Sequence, residues 1–77
     1  MNTVEVTIVR EKYRIKGEAS PEQIEKAAVL LDEMMRSILA GNPSLPLHQV
    51  AVLAALNLAN DYLTLKEEYE SLVKMLP

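Results

Sequence analysis

The sequence predicts an α+β fold: an N-terminal β-hairpin followed by two helices, the second long and continuing into a short coiled coil, in an obligate oligomer. Three observations carry that prediction. Period-two alternation of apolar and polar residues is confined to the stretch before Gly17. A helical period replaces it after Ser20 and persists to the end of the chain. Finally, 49% of the 77 residues are hydrophobic although Phe, Trp and Cys are absent, so aliphatic surface must be buried without disulfide help.

The hairpin comes first. Thr3–Val9 alternate, with Val4, Val6 and Ile8 on one face and Glu5 and Thr7 on the other. Lys12–Lys16 alternate again, Tyr13 and Ile15 opposing Lys12, Arg14 and Lys16. A charged turn near Arg10–Glu11 separates the runs, without the Asn-Gly or Asp-Gly pair that usually marks such turns.

Helix one has a strong start. Ser20 is a good N-cap, Pro21 suits the first helical position, and Gln23 completes a capping box with Ser20. The helix is expected to reach about Ala40, where Gly41, Asn42 and Pro43 supply a left-handed cap followed by a stop. Its inward stripe is Ile24, Ala27/Ala28, Leu31, Met35 and Ile38, widened by Leu30 and Met34. Glu22–Lys26 and Asp32–Arg36 have the favourable acid-first spacing of four.

Helix two begins after Pro46 and runs toward the end of the chain. Its first half, Val50–Ala59, is apolar nearly all round, which requires neighbours on several sides. Its second half changes character: Leu58, Tyr62, Leu65, Tyr69, Leu72 and Leu76 follow a 4-3-4-3-4 spacing, a heptad seam flanked by Lys66, Glu67, Glu68, Glu70 and Lys74. One hairpin and one shorter helix cannot cover a helix of this length, so a second chain is expected to cover the rest. The corresponding division is a globular dimerisation head over residues 1–60 and a coiled-coil segment over 61–77.

Composition bounds the function. With no cysteine and a single histidine, His48, the chain offers no thiol chemistry and no metal cage, and no cofactor is expected. No nucleophile–base pair is recognisable, and the two glycines are boundary residues rather than a phosphate loop, so an enzyme is not expected. The longest apolar stretch is too short for a bilayer and is broken by Asn57, and no leader pattern opens the chain. A cytoplasmic protein that does not engage membrane is the expectation. The net charge of −3 argues against a general nucleic-acid binder.

Two features admit more than one reading. Asn57, inside the apolar run, either faces a groove and bonds backbone or sets the register of a dimer. Arg10, Lys12, Arg14 and Lys16 share parity, so an extended strand places four cations on one face. That row is either a solvated outer face, a surface for an acidic protein, or a DNA-reading β-ribbon of the ribbon-helix-helix kind.

At helix two the residues carry something more specific. Asn42-Pro-Ser-Leu45, then Ala51–Asp61 with its Ala-Ala-Leu-Asn core, preceded by a hairpin containing Thr7, Tyr13, Ile15 and Gly17, resembles the ZapA family of bacterial cell-division proteins. The segment from Leu63 to Leu72 is similar to the start of that family's coiled coil. Two positions depart from the pattern: Arg10 stands where the turn typically carries glycine, and Pro46 where a serine-type cap often opens helix two, so that Ser44 or Leu45 is expected to start it instead. The resemblance implies a protein that binds the tubulin-like GTPase FtsZ, cross-links its filaments and promotes ring assembly at the division site. It also implies head-to-head homodimers that can pair into tetramers through the coiled coil.

On this reading the dimer interface comprises Leu30, Met34, Val52, Leu53, Leu56, Asn57 and Leu58. The coiled-coil seam comprises Tyr62, Leu65, Tyr69, Leu72 and Leu76. The expected partner-binding residues are Lys26, Glu33 and Arg36 of helix one, with Arg14 of the hairpin. A generic oligomerisation module without a filament partner, and a DNA-binding dimer, are the alternatives.

Overall fold

The computed structural model of the chain describes residues 2–77, in the order β1 (Asn2–Ile8), β2 (Glu11–Gly17), α1 (Pro21–Gly41) and α2 (Leu47–Met75). The two strands pair antiparallel in a register that sets Val4 opposite Ile15 and Val6 opposite Tyr13. Partners across a ladder share a face, so these four line one side of the sheet. Thr3, Glu5 and Thr7 line the other, opposite Lys16, Arg14 and Lys12.

The turn lies one residue earlier than expected. Glu11 pairs with Ile8, leaving Val9 and Arg10 as a two-residue connection, and both have positive φ, 47° and 70°. That sign pattern belongs to the type I′ turn, whose twist matches that of the strands it joins. Arg10 is therefore part of the tip and not a fourth member of the strand's row of cations.

Helix α1 starts as its residues dictate: the N–H of Gln23 donates to Ser20 Oγ at 3.2 Å and proline occupies the first turn. It lies on β1, where Ala28 packs with Val4 and Val6, and with the half-buried Ile8 and Ile24. The left-handed glycine cap is not formed. Gly41 is the last helical residue, and Asn42 caps the helix at φ −152°, its N–H donating to the carbonyls of Ile38 and Leu39. Pro43 accounts for this, because a residue before proline is forced toward extended backbone.

Helix α2 opens without a side-chain cap; Pro46 stands at that position, and its carbonyl accepts from the N–H groups of Gln49 and Val50. Neither Ser44 nor Leu45 caps it. The 29-residue helix crosses α1 near its start, where Val50 and Ala54 are fully buried against Met35. Alanine at the crossing lets the backbones approach, and Leu31, Met34, Ile38 and Leu39 close around the contact.

The result is thin. The chain extends 49 × 35 × 14 Å, with a radius of gyration of 15.6 Å, against about 11.5 Å for a compact domain of this length. Its accessible surface is 6264 Å², whereas a folded monomer of this mass exposes roughly 4,700 Å². Domains bury their apolar faces between two layers, and much of this chain supplies only one.

Candidate self-association and partner surfaces

The surplus of roughly 1,500 Å² exceeds the ~800 Å² that one partner contributes to a standard protein interface, and it has identifiable sources. The first lies under β2. Because α1 lies over β1, the inward face of the second strand is only partly covered by the described residues, and Tyr13 and Ile15 stay more than a third exposed. With Leu31, Met35, Leu47 and Ala51 they line an open apolar groove of about 520 Å³, which His48 also borders. A smaller hollow of about 270 Å³ between Ile15, Ile24 and Ala27 continues it along α1.

The second source is the outer side of α2 in its apolar half. Val52, Leu53 and Leu56 are exposed, Asn57 is exposed, and Leu58 is half-buried. Asn57 makes no side-chain hydrogen bond, to backbone or otherwise, among the described residues. Leu30 of α1 is also exposed, beside Val29, whereas Met34 turns into the Met35–Val50–Ala54 cluster of its own chain. The expected interface set is thus brought together in part: most of it is open, and Met34 contributes to the intrachain core.

The third source is the distal half of α2. Every residue from Ala59 onward is exposed, and Tyr62, Leu65, Tyr69, Leu72 and Leu76 each leave more than half their surface in water. A helix without tertiary packing is only marginally stable, however good its composition. No helix among the described residues is long and apolar enough to cross a membrane, so this apolar row is not a bilayer span.

The charged residues separate into two regions. Lys26, Glu33 and Arg36 are exposed on α1. Arg14 lies on the sheet face turned away from α1, paired across the ladder with Glu5. The structure therefore does not join Arg14 to the α1 set. It also dilutes the cation row: Arg10 leaves it for the turn, and Glu5 sits in its middle. Duplex DNA would meet three cations interrupted by a carboxylate, a poor phosphate-tracking surface.

One connection had no signal in the sequence beyond a helical spacing of four. Asp32 accepts the Val9 N–H on Oδ1 at 2.6 Å and Arg36 Nε on Oδ2 at 2.8 Å. The Val9 hydrogen bond is the main force lowering the Asp32 pKa below its ordinary 3.8; partial burial opposes it and Arg36 adds to it. The second predicted pair, Glu22–Lys26, is not closed to ion-pair distance among the described residues. Those residues also hold no cluster of three or more potential metal ligands.

Comparison with known proteins supplies a context for this geometry. Residues 4–77 match the family model described as cell division protein ZapA. A cell division protein ZapA of Geobacillus sp. (strain WCH70) is 41% identical over 73 residues, which span 95% of this chain and 84% of the relative. Another from Bacillus thuringiensis (strain Al Hakam) is 41% identical over 69 residues, 90% of this chain and 78% of the relative. Among solved structures, a ZapA mutant dimer from Geobacillus stearothermophilus superposes with a TM-score of 0.78 at 37% identity, covering 95% of this chain and 85% of that one. An unknown conserved bacterial protein from Pseudomonas aeruginosa PAO1 gives the same TM-score at 33% identity, over 96% and 82% of the two chains.

Proposed function

The chain belongs to the ZapA family of cell division proteins, and on that premise we propose that it is a non-enzymatic homodimer that binds FtsZ filaments at the division site, bridges them, and promotes assembly of the cytokinetic ring. The observation that carries this reading is the uncovered apolar surface of one chain: a groove beneath β2, an open flank of α2, and a bare heptad row beyond residue 59. A second copy is the occupant that fits, since the groove and the flank Val52–Leu56 are both apolar and both belong to the same head. A symmetric pair covers each patch with its equivalent surroundings and closes without leaving a free apolar edge.

The division of labour follows. Residues 1–60 form the dimerising head, with Leu30, the half-buried Met34, Val52, Leu53, Leu56, Asn57 and Leu58 at its interface. Residues 61–77 form the coiled-coil segment, whose seam Tyr62–Leu76 zips to a partner helix and allows dimers to pair into tetramers. The filament-facing surface uses charges on α1, Lys26, Glu33 and Arg36, with Arg14 on the far face of the hairpin as a separate contact. Two identical binding surfaces on one rigid body gain from effective concentration, so that individually weak contacts suffice to bridge filaments.

The test is sedimentation of FtsZ polymerised with GTP, with and without this protein, at low and high speed. Co-pelleting together with more FtsZ in the low-speed pellet is the expected result. Co-pelleting at high speed only reduces the function to binding without bridging. No co-pelleting by a folded, self-associated sample leaves an oligomerisation module and removes the filament.

A further inference from the structure

The hairpin tip is unusual in its backbone and in its charge. Val9 and Arg10 both sit in the left-handed region that glycine and asparagine normally occupy, and a β-branched residue there is an outlier. The Asp32 carboxylate holds this conformation by taking the Val9 N–H at 2.6 Å. Arg10 is thereby set beside α1, where it lines a hollow of about 360 Å³ together with Arg36, Val9 and Leu39.

The electrostatics of that hollow are unbalanced. Arg36 commits Nε to Asp32 and keeps its two terminal amino groups, while Arg10 has no ion-pair partner among the described residues. Of the two guanidinium groups lining the hollow, only that of Arg36 is matched by a carboxylate. The rest of the lining is aliphatic, and strained backbone kept in place by its surroundings is a recurrent mark of a binding surface.

We propose that this hollow is a docking site for an acidic protein segment, with one carboxylate held between Arg10 and Arg36 and a neighbouring aliphatic side chain resting on Val9 and Leu39. The proposal rests on the filament-binding reading and names the contact through which the filament is held. An excess of one positive charge over an aliphatic floor matches a single carboxylate on a polypeptide better than the repeating phosphates of a nucleic acid. Guanidinium groups supply the paired donors that a carboxylate accepts. The hollow shares no lining residue with the groove under β2.

Arg10→Gly is the informative variant. Glycine occupies positive φ without strain, so the tip keeps its shape while the guanidinium is lost. The probe is FtsZ polymerised with GTP, titrated by sedimentation at low and moderate salt. The concentration of this protein giving half-maximal co-sedimentation is expected to rise about ten-fold with Arg10→Gly at low salt, the effect of losing one charge-assisted contact. Arg10→Lys is expected to lose less, and the oligomeric state of both variants to match that of the parent protein. Wild-type protein that binds polymers, with Arg10→Gly binding equally well, overturns this site and leaves the functional reading standing. Wild-type protein that does not bind polymers overturns both. Loss, on substitution of Arg10, of binding to duplex DNA rather than to polymers assigns the hollow to nucleic acid and likewise overturns the proposal.

Discussion

The backbone N–H of Val9 donates to Asp32 Oδ1 at 2.6 Å, joining the tip of the hairpin to the middle of α1 across 23 residues of sequence. The bond satisfies a donor that a two-residue turn would otherwise leave to water. Its pH dependence follows from the lowered pKa of Asp32: the contribution to stability is complete above the unfolded value near 3.8 and is lost as pH falls through the lower folded value. The stability gap between the wild type and Asp32→Asn, read by denaturant titration, should therefore be largest at pH 7 and narrow progressively as the pH is taken below 3.8. A gap that does not narrow places the effect elsewhere than in this ionisation.

Glycine at position 10 should stabilise the chain. A non-glycine residue in the left-handed region costs on the order of 1–2 kcal/mol, and part of that is returned as the extra freedom glycine has when unfolded. The net expectation is a gain of up to about 1 kcal/mol, read as a raised urea midpoint with unchanged slope. Val9→Gly should not show the gain, because Val9 also packs against the Met35 cluster.

Met35 joins the two helices, being buried against Val50 and Ala54. Met35→Ala should cost about 2–5 kcal/mol, the usual range for emptying a buried site. For so small a core that is much of the total stability. The comparison must hold protein concentration constant, since association adds to apparent stability by mass action.

Ile15 is more than a third exposed in the single chain and lines the groove under β2. Ile15→Glu should leave the helical circular dichroism of dilute protein close to that of the parent while shifting sedimentation equilibrium toward monomer by at least ten-fold in Kd. An unchanged Kd would remove the groove from the self-association surface.

Leu65→Glu combined with Leu72→Glu places two charges in the row beyond the head, where both leucines are more than half exposed. The head should still pair and still bind polymers at high speed. On the proposed function, in which dimers paired through the seam bridge filaments, the low-speed FtsZ pellet should fall to the level seen without this protein. Retained bundling would assign bridging to the head alone.

Much of the chain was legible from periodicity and punctuation. The alternation of Val4, Val6, Tyr13 and Ile15 matches the paired face of the ladder, Ser20 caps α1 as its residue type demands, and Pro46 marks the entry to α2. The misses have specific causes. The turn moved to Val9–Arg10 because a distant carboxylate stabilises a conformation that neither residue prefers locally. The glycine cap failed because Pro43 restricts Asn42. Met34, which widens the inward stripe, is half-buried against the Met35 cluster because the crossing of the two helices covers that flank.

The pattern of residues was enough to establish the elements and which side chains share a face, because strand and helix periods are local properties of the backbone. It also exposed an excess of aliphatic surface, since that depends on composition alone. Which face is left bare is a different matter. Tyr13 and Val6 are partners on one side of the same sheet, yet Val6 is buried and Tyr13 is not. That difference arises because α1 has the width of one helix and lies over β1, a choice made by its packing against both the hairpin and α2. Likewise, Arg10 and Arg36 are distant in sequence and acquire a common hollow only when the hairpin tip is tied to the helix. Coverage and convergence are long-range properties, and only the packed chain sets them.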